Sequence, residues 1–584
     1  MFNVKLDEIR SEAKAAAARF LENEGFVADG NVWGRPLTLA NQANVPIRLQ
    51  LPPRFPDDLP VITIDRAILP HRIPHVEKTG KLCLAPATGV LLDATNPEGI
   101  IRDSVERART LLHDGITRAN AGDLEKEFLA YWKGEEKETL LADCQVCGPA
   151  RELALVRIRS WHKSGLKARD VIVDNESAGL SLIDLLGGVV QSRKSVFFLP
   201  IDTSFVPPDF DDIPTTSQIL DILRKRSSKA TWSTFERWLG RSVLPVTMVV
   251  SMPASEAPCL FAIRIGEAQA NRKDRNVPGF RAGNAPASME LAYTKRHSIG
   301  KLNVERFDLP FLLRRGGAME SLSTRTVAVI GCGSVGSHAV ERLASLGISR
   351  FRLIDAEALA SQNLYRHALG AEYLEVNKAV GLGEVLRKKY LHIDVQSRPH
   401  DIGKVLTQEQ DFVLSADLIL VALGDETVEL RLNELLGARL PRVHAWLDPL
   451  GLGGHILATG LPKQRGCFRC LFDLHEVHGL QNGASFARAG QQFQKSFAGC
   501  SGSFTPFSAI DADRTALEAA RLATRILEGK EERNVLVSWF GDTEDFEKAR
   551  FELSKRAQLF NIGDRRYSLD FTVRDCPHCK EWCS

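Results

Sequence analysis

The chain has 584 residues, and its 75 Lys and Arg nearly balance its 73 Asp and Glu, which leaves no strong electrostatic case for nucleic-acid binding. Its 11 cysteines are too few for a disulfide-stapled secreted scaffold, and the first residues lack the apolar core of a signal peptide. We therefore expect a protein of the reducing cytoplasm. The sequence contains no uninterrupted apolar run of about 18 residues, so no membrane span is expected.

The front of the chain is predicted to contain a helix, a meander of strands and two more helices. Residues 5–24 have an amphipathic helical pattern, and the prolines of LPPRFPDDLPVITI punctuate an extended segment. Further helices are predicted near Glu98–Leu112 and Leu124–Trp132. Between the strands and these helices lies PHRIPHVEKTGKLCLAP, a loop that carries a single cysteine.

This order of elements resembles that of the ubiquitin-conjugating enzymes. His75 shortly before Cys83, and Gly80 three residues ahead of it, add to the likeness. The resemblance implies that Cys83 carries an acyl group as a thioester. These enzymes usually have an asparagine near the histidine that stabilises the oxyanion, and here His75 is followed by Val76, so that donor is missing or comes from elsewhere. On the residues alone, Cys83 between two leucines also fits a buried core thiol.

The middle of the chain is predicted to be a mixed α/β linker domain with no chemical motif. Apolar stretches such as VFFLPID and LPVTMVVSMP alternate there with polar connections. Cys144 and Cys147 form a pair with no identifiable partner pair and stay unassigned. We predict three domains: 1–147, 148–303 and 304–584.

The sequence after residue 326 predicts a nucleotide-binding βαβ unit. An apolar strand runs into Gly331, Gly333 and Gly336, a helix follows, and a second strand ends at Asp355. The glycines let the backbone approach a phosphate, the helix start offers unpaired N–H groups, and Asp355 can accept a hydrogen bond from a ribose hydroxyl. This fingerprint by itself also fits a nicotinamide oxidoreductase.

Two cations after the βαβ unit, Arg366 and Lys378, favour nucleotidyl transfer, because negative charge grows on the attacked phosphate. This part of the sequence resembles the adenylation site of the ThiF/MoeB family, which includes the ubiquitin-activating enzymes. The residues that match in order and nearly in spacing are Asp355, Glu357, Asn363, Leu364, Arg366 and Lys378. The resemblance implies that Asp355 holds the ATP ribose and Asn363 helps to position the nucleotide. Arg366 and Lys378 would neutralise the phosphates while a carboxylate attacks the α-phosphorus.

A buried-type strand, ADLILVALG, delivers Asp425 to its carboxyl end, where open α/β sheets bind ligands. Asp425 resembles the magnesium-handling aspartate of the family. The usual Asp-Asn pair is Asp425-Glu426 here, and Arg431 lies one residue further on than expected. The family tends to dimerise and to supply an arginine from the partner subunit just before the first strand, so we expect a homodimer, with three candidates: Arg306, Arg314 and Arg315.

Two cysteine pairs, Cys467 with Cys470 and Cys576 with Cys579, have the gap that lets two thiolates reach one zinc ion. Spacing alone leaves open two unrelated reduced pairs. The ThiF/MoeB resemblance implies that the pairs close one structural tetrathiolate zinc site. Between them, Cys500 lies in a Gly/Ser-rich loop, where a thiol can act as a nucleophile, although a lone cysteine is more often a packing residue. The resemblance implies that Cys500 takes the adenylated carboxylate as a thioester.

A conjugating-like front joined to an activating-like back resembles the fused enzymes of CBASS antiphage operons, which attach a cGAS-like nucleotidyltransferase to a target. The resemblance implies that ATP and magnesium activate a protein C-terminal carboxylate, which then passes through Cys500 and Cys83 to an acceptor amine. One alternative is a sulfur-activating enzyme of the thiamin or molybdopterin type with a front docking module. A nicotinamide oxidoreductase and a non-catalytic nucleotide-binding scaffold are the others.

Overall fold

The structure is a computed structural model that describes residues 2–85, 90–132, 139–162, 165–174, 180–210, 212–266, 279–280, 285–294, 296–475, 477, 479–496 and 503–580. The chain divides into two units, Met1–Arg306 and Phe307–Ser584. Both units mix helices and strands, so the predicted α/β class is confirmed. Among the described residues, no helix is both long and apolar enough to cross a bilayer.

The first unit begins with a helix packed against a small antiparallel sheet of four strands in the order β1-β2-β3-β4. Its elements are α1 (Phe2–Asn23), β1 (Val27–Asp29), β2 (Val32–Thr38), β3 (Asn44–Gln50), β4 (Val61–Ile64), α2 (Pro97–Thr117), α3 (Asp123–Lys126) and α4 (Phe128–Tyr131). Strand β3 alternates exposed and buried residues because every second side chain points to the core, where Val45, Ile47 and Leu49 are buried. The helix predicted over 124–132 is two short helices.

The rest of the first unit is a closed barrel of strands in the order β10-β11-β5-β7-β6-β8-β9. Its elements are β5 (Thr139–Asp143), β6 (Arg151–His162), β7 (Gly165–Val173), α5 (Leu180–Leu185), β8 (Gly188–Pro200), α6 (Thr216–Lys225), α7 (Lys229–Leu239), β9 (Val246–Met252), β10 (Cys259–Ile265), α8 (Ala287–Thr294) and β11 (Gly300–Arg306). Because β5 and β11 pair in parallel, the barrel includes residues on both sides of the predicted domain boundaries, which stay predictions.

The second unit is built on an eight-stranded sheet in the order β14-β13-β12-β15-β16-β17-β22-β23. Its elements are α9 (Leu309–Gly316), β12 (Thr326–Ile330), α10 (Ser334–Ser345), β13 (Arg350–Ile354), α11 (Lys378–Lys389), β14 (Asp394–Arg398), α12 (Ile402–Gln408), α13 (Gln410–Leu414), β15 (Leu418–Val421), α14 (Glu426–Leu436), β16 (Arg442–Leu447), β17 (Gly453–Thr459), β18 (Phe472–His475), β19 (Gly479–Asn482), β20 (Lys495–Ser496), β21 (Ser503–Phe504), α15 (Ala509–Leu527), β22 (Val535–Phe540), α16 (Glu544–Lys548) and β23 (Arg565–Ser568).

Five neighbouring strands of this sheet, in the order β14-β13-β12-β15-β16, are parallel to one another. Their carboxyl ends therefore lie along one edge of the sheet. The central strand β12 is buried along its whole length, as expected for a strand covered on both faces. Residues that follow β12, β13 and β15 in the sequence are therefore brought to the same edge, which is where parallel sheets bind ligands.

Candidate active site

The predicted glycine loop follows β12 and requires glycine for steric reasons. Gly331 has a φ of 91°, and a Cβ there would lie 2.5 Å from the Ala422 carbonyl oxygen. A Cβ on Gly336 would lie 2.0 Å from the carbonyl oxygen of Gly331. Gly333 is the N-cap residue of α10 and offers no side-chain cap to the first turn, whose N–H groups can therefore face an anionic ligand.

Asp355 follows β13 and is bonded to the glycine loop. Its Oδ2 accepts a hydrogen bond from the Cys332 N–H at 2.7 Å, and its Oδ1 accepts one from the Glu357 N–H at 2.8 Å. Each carboxylate oxygen can accept more than one hydrogen bond, so a ribose hydroxyl could still bind here. Asp355 therefore holds the glycine loop in place through its hydrogen bond with Cys332. The spacing of these residues in the sequence did not predict that contact.

Lys378 is the first residue of α11, and its side chain is almost entirely buried. Its Nζ forms an ion pair with the carboxylate of Glu357, a largely exposed side chain. Asn377 caps α11 through its Oδ1, and its Nδ2 donates to the carbonyl oxygens of Asp355 and Glu357 at 2.9 and 3.2 Å. The start of α11 is thus joined to the end of β13, which places the lysine beside the ligand edge.

Arg366 ends a short 3₁₀ helix, Ser361–Arg366, that follows this edge. Its guanidinium lies 4.8 Å from the ring centroid of Phe507, which belongs to the same segment as Cys500. Asn363 lies within the 3₁₀ helix, where its Oδ1 accepts a hydrogen bond from the Ala360 N–H at 3.2 Å. Cys500 itself lies outside the described residues.

His367, which we did not predict, connects the Arg366 segment to the glycine loop. Its Nε2 is 2.7 Å from the Cys332 carbonyl oxygen, and its Nδ1 accepts a hydrogen bond from the Leu369 N–H. Burial lowers the pKa of His367 to about 4, so the ring is neutral and Nε2 carries the hydrogen that it donates to Cys332. Its position next to Arg366 was the only sequence signal for this role.

Asp425 lies at the carboxyl end of β15, as predicted, and caps α14. Its Oδ1 accepts hydrogen bonds from the N–H groups of Thr427 and Val428 at 3.0 and 3.1 Å. The adjacent Glu426 accepts a hydrogen bond from Asn482 Nδ2 at 2.7 Å. Arg431 lies on α14 with a mainly exposed side chain, and its Nη1 is 3.9 Å from Glu434 Oε2.

A buried carboxyl group, Glu429, supports the loop that ends at Asp425. It accepts hydrogen bonds from the backbone of Leu423 and Gly424, and its Oε2 is 2.8 Å from Nδ1 of His444. Burial raises the pKa of Glu429 to about 8 and lowers the pKa of His444 well below its usual value. Glu429 is therefore protonated at neutral pH, and its carboxyl O–H can donate a hydrogen bond to Nδ1 of the neutral His444 imidazole.

The raised pKa of Glu429 makes stability dependent on pH. Because the folded chain holds this proton more tightly than the unfolded chain, its stabilisation is complete below the ordinary pKa of 4.5 and is lost as pH rises to about 8. Glu429→Gln keeps the size and shape of the side chain but removes the group that titrates. Each unit of difference between the folded and unfolded pKa changes the free energy of unfolding by about 1.4 kcal/mol. We expect the unfolding midpoint of the variant to fall less than that of the unaltered protein between pH 5 and 8, measured by calorimetry. Equal slopes would contradict this assignment.

The two cysteine pairs come together, as predicted. The Sγ atoms of Cys467 and Cys470 are 3.9 Å apart, Cys467 and Cys576 are 3.7 Å apart, and Cys470 and Cys579 are 3.5 Å apart. All four thiols are buried and lie within 4.8 Å of one another. A tetrahedral zinc ion with Zn–S bonds of about 2.3 Å needs sulfur atoms about 3.8 Å apart, so the four thiols fit zinc.

Loss of one zinc ligand should destabilise the second unit. We expect Cys576→Ser to abolish stoichiometric zinc, measured by atomic absorption, and to lower the thermal unfolding midpoint by about 10 °C or more, because a structural ion contributes several kcal/mol. Cys147→Ser is the control, since Cys147 is exposed in the first unit. An unchanged midpoint in zinc-free Cys576→Ser protein would show that the cluster does not stabilise the fold.

Cys83 directly follows the bridge residue Leu82 in the first unit, and its side chain is exposed, so the alternative of a buried core thiol is wrong. Its N–H donates to the carbonyl oxygen of His75 at 2.8 Å, and Val76 pairs with Leu82 in an antiparallel bridge between them. Gly80 makes the turn with a φ of 82°, and a Cβ there would lie 2.0 Å from the Ile64 carbonyl oxygen. Cys144 is buried in the barrel and Cys147 is exposed.

The candidate arginines occupy two places. Arg306 ends β11 in the first unit, where its Nη1 donates to the carbonyl oxygen of Pro258 at 2.7 Å. Arg314 and Arg315 lie in the last turn of α9, and Arg314 is 2.9 Å from Glu320. The role of an arginine from a partner subunit stays a prediction.

Two family models match the chain, one in each unit. The ThiF family matches residues 306–558, and Prokaryotic E2 family B matches residues 17–141. The chain therefore joins an E2-like domain to a ThiF-type domain and is an ATP-dependent adenylating transferase. The nicotinamide oxidoreductase and scaffold alternatives are set aside by this class.

Two of the particular relatives match this chain over most of its length. The chain is 24% identical over 519 residues to the ATP-dependent ubiquitin transferase-like protein Cap2 of Pseudomonas aeruginosa, a match that covers 85% of this chain and 88% of that protein. It is 22% identical to the protein of the same name from Vibrio cholerae, over 78% of this chain and 81% of that protein. A shorter match, 29% identical over 26% of this chain and 33% of the relative, is to the adenylyltransferase and sulfurtransferase MOCS3 of Xenopus laevis. Among solved structures, Escherichia coli MccB with AMPCPP and MccA is 17% identical, covers 44% of this chain and 68% of that chain, and has a TM-score of 0.32.

Proposed function

We propose that the chain uses ATP to adenylate the C-terminal carboxylate of a protein, carries the acyl group on Cys500 and then Cys83, and joins it to an acceptor amine. The observation that carries this proposal is the meeting of the glycine loop, Asp355 and Asp425 at one sheet edge, in a chain whose other unit exposes Cys83. The two relatives that match most of the chain are named as ubiquitin transferase-like proteins, and these names support the proposal.

ATP would bind with its phosphates at the start of α10 and its ribose at Asp355. Lys378 and Arg366 would stabilise the charge that develops on the α-phosphate, because both cations lie beside that edge. Asp425 and Glu426 supply the carboxylate oxygens that magnesium prefers, and the ion would neutralise the phosphates. Zinc, held by Cys467, Cys470, Cys576 and Cys579, would be structural, since four thiolates leave no open position.

In each step the same acyl group passes from one carrier to the next. The carboxylate oxygen attacks the α-phosphorus and pyrophosphate leaves, and the Cys500 sulfur then attacks the acyl carbon and AMP leaves. The Cys83 sulfur displaces Cys500, and an amine nitrogen finally displaces Cys83 as a thiolate while losing its proton to the medium. The contact of Arg366 with Phe507 joins this cation to a residue that follows Cys500 by seven positions in the sequence.

The substrate class follows from this chemistry. The activated group is a protein C-terminus, and the resemblance to the CBASS enzymes suggests a cGAS-like nucleotidyltransferase as its source. The acceptor is an amine on another protein or molecule. A homodimer would allow Arg314 or Arg315, both exposed at the end of α9, to reach the partner's nucleotide site.

The test is ATP–pyrophosphate exchange by the full-length chain in the presence of a cGAS-like protein with its native C-terminus. Exchange that requires that protein, and is lost when its last residues are removed, would support the proposal. Mass spectrometry without reductant should then show the protein linked to Cys83 or Cys500 and released by thiol. Exchange without any protein conjugate, together with sulfur transfer, would instead support the sulfur-activating alternative.

A further inference from the structure

The backbone at His75 is held in an unusual conformation. Its φ is 61°, in the left-handed region that residues other than glycine rarely occupy and that costs roughly 1 kcal/mol or more. Its N–H donates to the hydroxyl oxygen of Tyr131 at 2.8 Å, while its carbonyl oxygen accepts the N–H of Cys83 at 2.8 Å. The peptide of Cys83 is therefore connected through one residue to the side chain of Tyr131.

The ring of His75 is held by the same part of the chain. Its Nε2 is 3.4 Å from Asp123 Oδ2, and its Nδ1 is 3.2 Å from Glu127 Oε1. The Tyr131 hydroxyl donates in turn to Glu127 Oε2 at 3.4 Å, and Lys126 lies 2.8 Å from Asp123. Contacts to α3 and to the turn before α4 thus fix the ring, and Tyr131 in α4 fixes the backbone.

Tyr131 is itself buried against the barrel. The guanidinium of Arg72 lies 4.5 Å from its ring centroid, and the ring of Phe210, in the segment after β8, lies 5.5 Å away. Arg72 also donates through Nη1 to the carbonyl oxygen of Pro207 in that segment. The tyrosine is therefore enclosed by groups from both parts of the first unit.

The helix that carries Tyr131 is anchored in the aromatic core of the barrel. Phe128 and Trp132 stack on each other with centroids 5.4 Å apart, and they lie 4.8 and 4.7 Å from Phe261 of β10. Phe205 packs edge-on against Phe128 at 5.2 Å. All four side chains are buried, so α4 cannot shift without disturbing the barrel.

We propose that Tyr131 is a positioning residue that holds His75, and through it the Cys83 peptide, against a support supplied by the barrel. The middle of the chain then has a function that its sequence did not indicate, since it sets the geometry of the exposed thiol. The effect on acyl transfer rests on the proposed function, whereas the effect on the Cys83 peptide does not.

Amide hydrogen exchange of the full-length protein, without ATP or partner, tests the positioning directly. Tyr131→Phe removes the oxygen that accepts the His75 N–H and keeps the ring that packs against Arg72. We expect the Cys83 amide to exchange about tenfold faster in this variant, because its hydrogen bond to His75 depends on that oxygen. Exchange in the buried strand β9 should not change, which separates a local release from general destabilisation.

The matched control is Thr117→Val, which removes a hydroxyl whose acceptors, the carbonyl oxygens of His113 and Asp114, belong to its own helix. If Tyr131→Phe fails to fold, Glu127→Ala decides, because Glu127 is partly exposed and its loss removes the contacts of this carboxylate with the His75 ring and with the Tyr131 hydroxyl. An unchanged Cys83 exchange rate in the folded variants would overturn the proposal.

The functional readout is discharge of a Cys83 thioester to lysine in a single turnover. In Tyr131→Phe we expect the limiting rate to fall by about tenfold while the half-saturating lysine concentration stays the same, since the amine site is intact. Faster Cys83 exchange with no thioester in any variant would leave the positioning in place and contradict the proposed function. Equal limiting rates would overturn the link between positioning and transfer.

Discussion

Lys378→Met is expected to reduce ATP–pyrophosphate exchange by about 100-fold or more. The substitution keeps most of the aliphatic stem of this buried side chain and removes only the ammonium, which in the proposed function stabilises charge on the attacked phosphate. Glu357, the partner that loses its cation, is largely exposed, so the variant leaves no buried unpaired charge. The measurement is exchange of labelled pyrophosphate into ATP at saturating ATP and carboxylate substrate.

Lys388→Met is the matched control, because Lys388 lies in the last turn of the same helix, where its Nζ is 3.4 Å from the hydroxyl of Tyr373. Its exchange rate should equal that of the unaltered protein. If Lys378→Met protein with an unchanged unfolding midpoint exchanged at the normal rate, Lys378 would have no role in adenylation.

Cys83→Ser is expected to leave pyrophosphate exchange unchanged and to abolish transfer to the acceptor amine. In the proposed function, adenylation takes place in the second unit and does not involve this thiol, whereas the last two transfers pass through it. A serine hydroxyl is a much weaker nucleophile than a thiolate, and its ester is less reactive toward amines, so conjugate formation should fall by about 1,000-fold or more. Gel analysis under reducing conditions measures the conjugate.

The thioester on Cys500 should accumulate in the Cys83→Ser variant, which mass spectrometry without reductant detects. Cys147→Ser controls for the loss of an exposed cysteine in the same unit. Conjugates that formed at the normal rate in Cys83→Ser protein would contradict the relay and favour the sulfur-activating alternative with a front docking module.

Local patterns predicted much of the fold because they depend on neighbouring residues. The helix predicted over 5–24 is Phe2–Asn23, and the helix predicted near Glu98–Leu112 is Pro97–Thr117. The barrel was not predicted as a barrel, since its closure depends on pairing β11 with β5, strands separated by more than 150 residues. Hydrophobic alternation indicates a strand but does not identify its distant partner.

The candidate site shows the same division. Asp355 and the glycines were predictable because the βαβ unit holds them within one short stretch, whereas joining the two cysteine pairs required the family resemblance. The pair of Glu429 and His444 was missed, because the two residues lie on α14 and β16 and nothing in their spacing indicates a shared proton. Likewise, the contact of His367 with Cys332 and that of Tyr131 with His75 are hydrogen bonds to backbone groups that only folding brings together.

Under the proposed function, the ion pair between Lys378 and Glu357 affects how tightly the chain retains nucleotide. In the nucleotide-free chain, the ammonium of Lys378 is already paired with the carboxylate of Glu357. A triphosphate must therefore compete with that carboxylate for the ammonium. Nucleotide affinity then reflects an exchange of counterions, and its net gain is smaller than the attraction of a bare cation for phosphate. In the proposed cycle, such an exchange favours release of AMP, since the carboxylate of Glu357 is always present to pair with the lysine again.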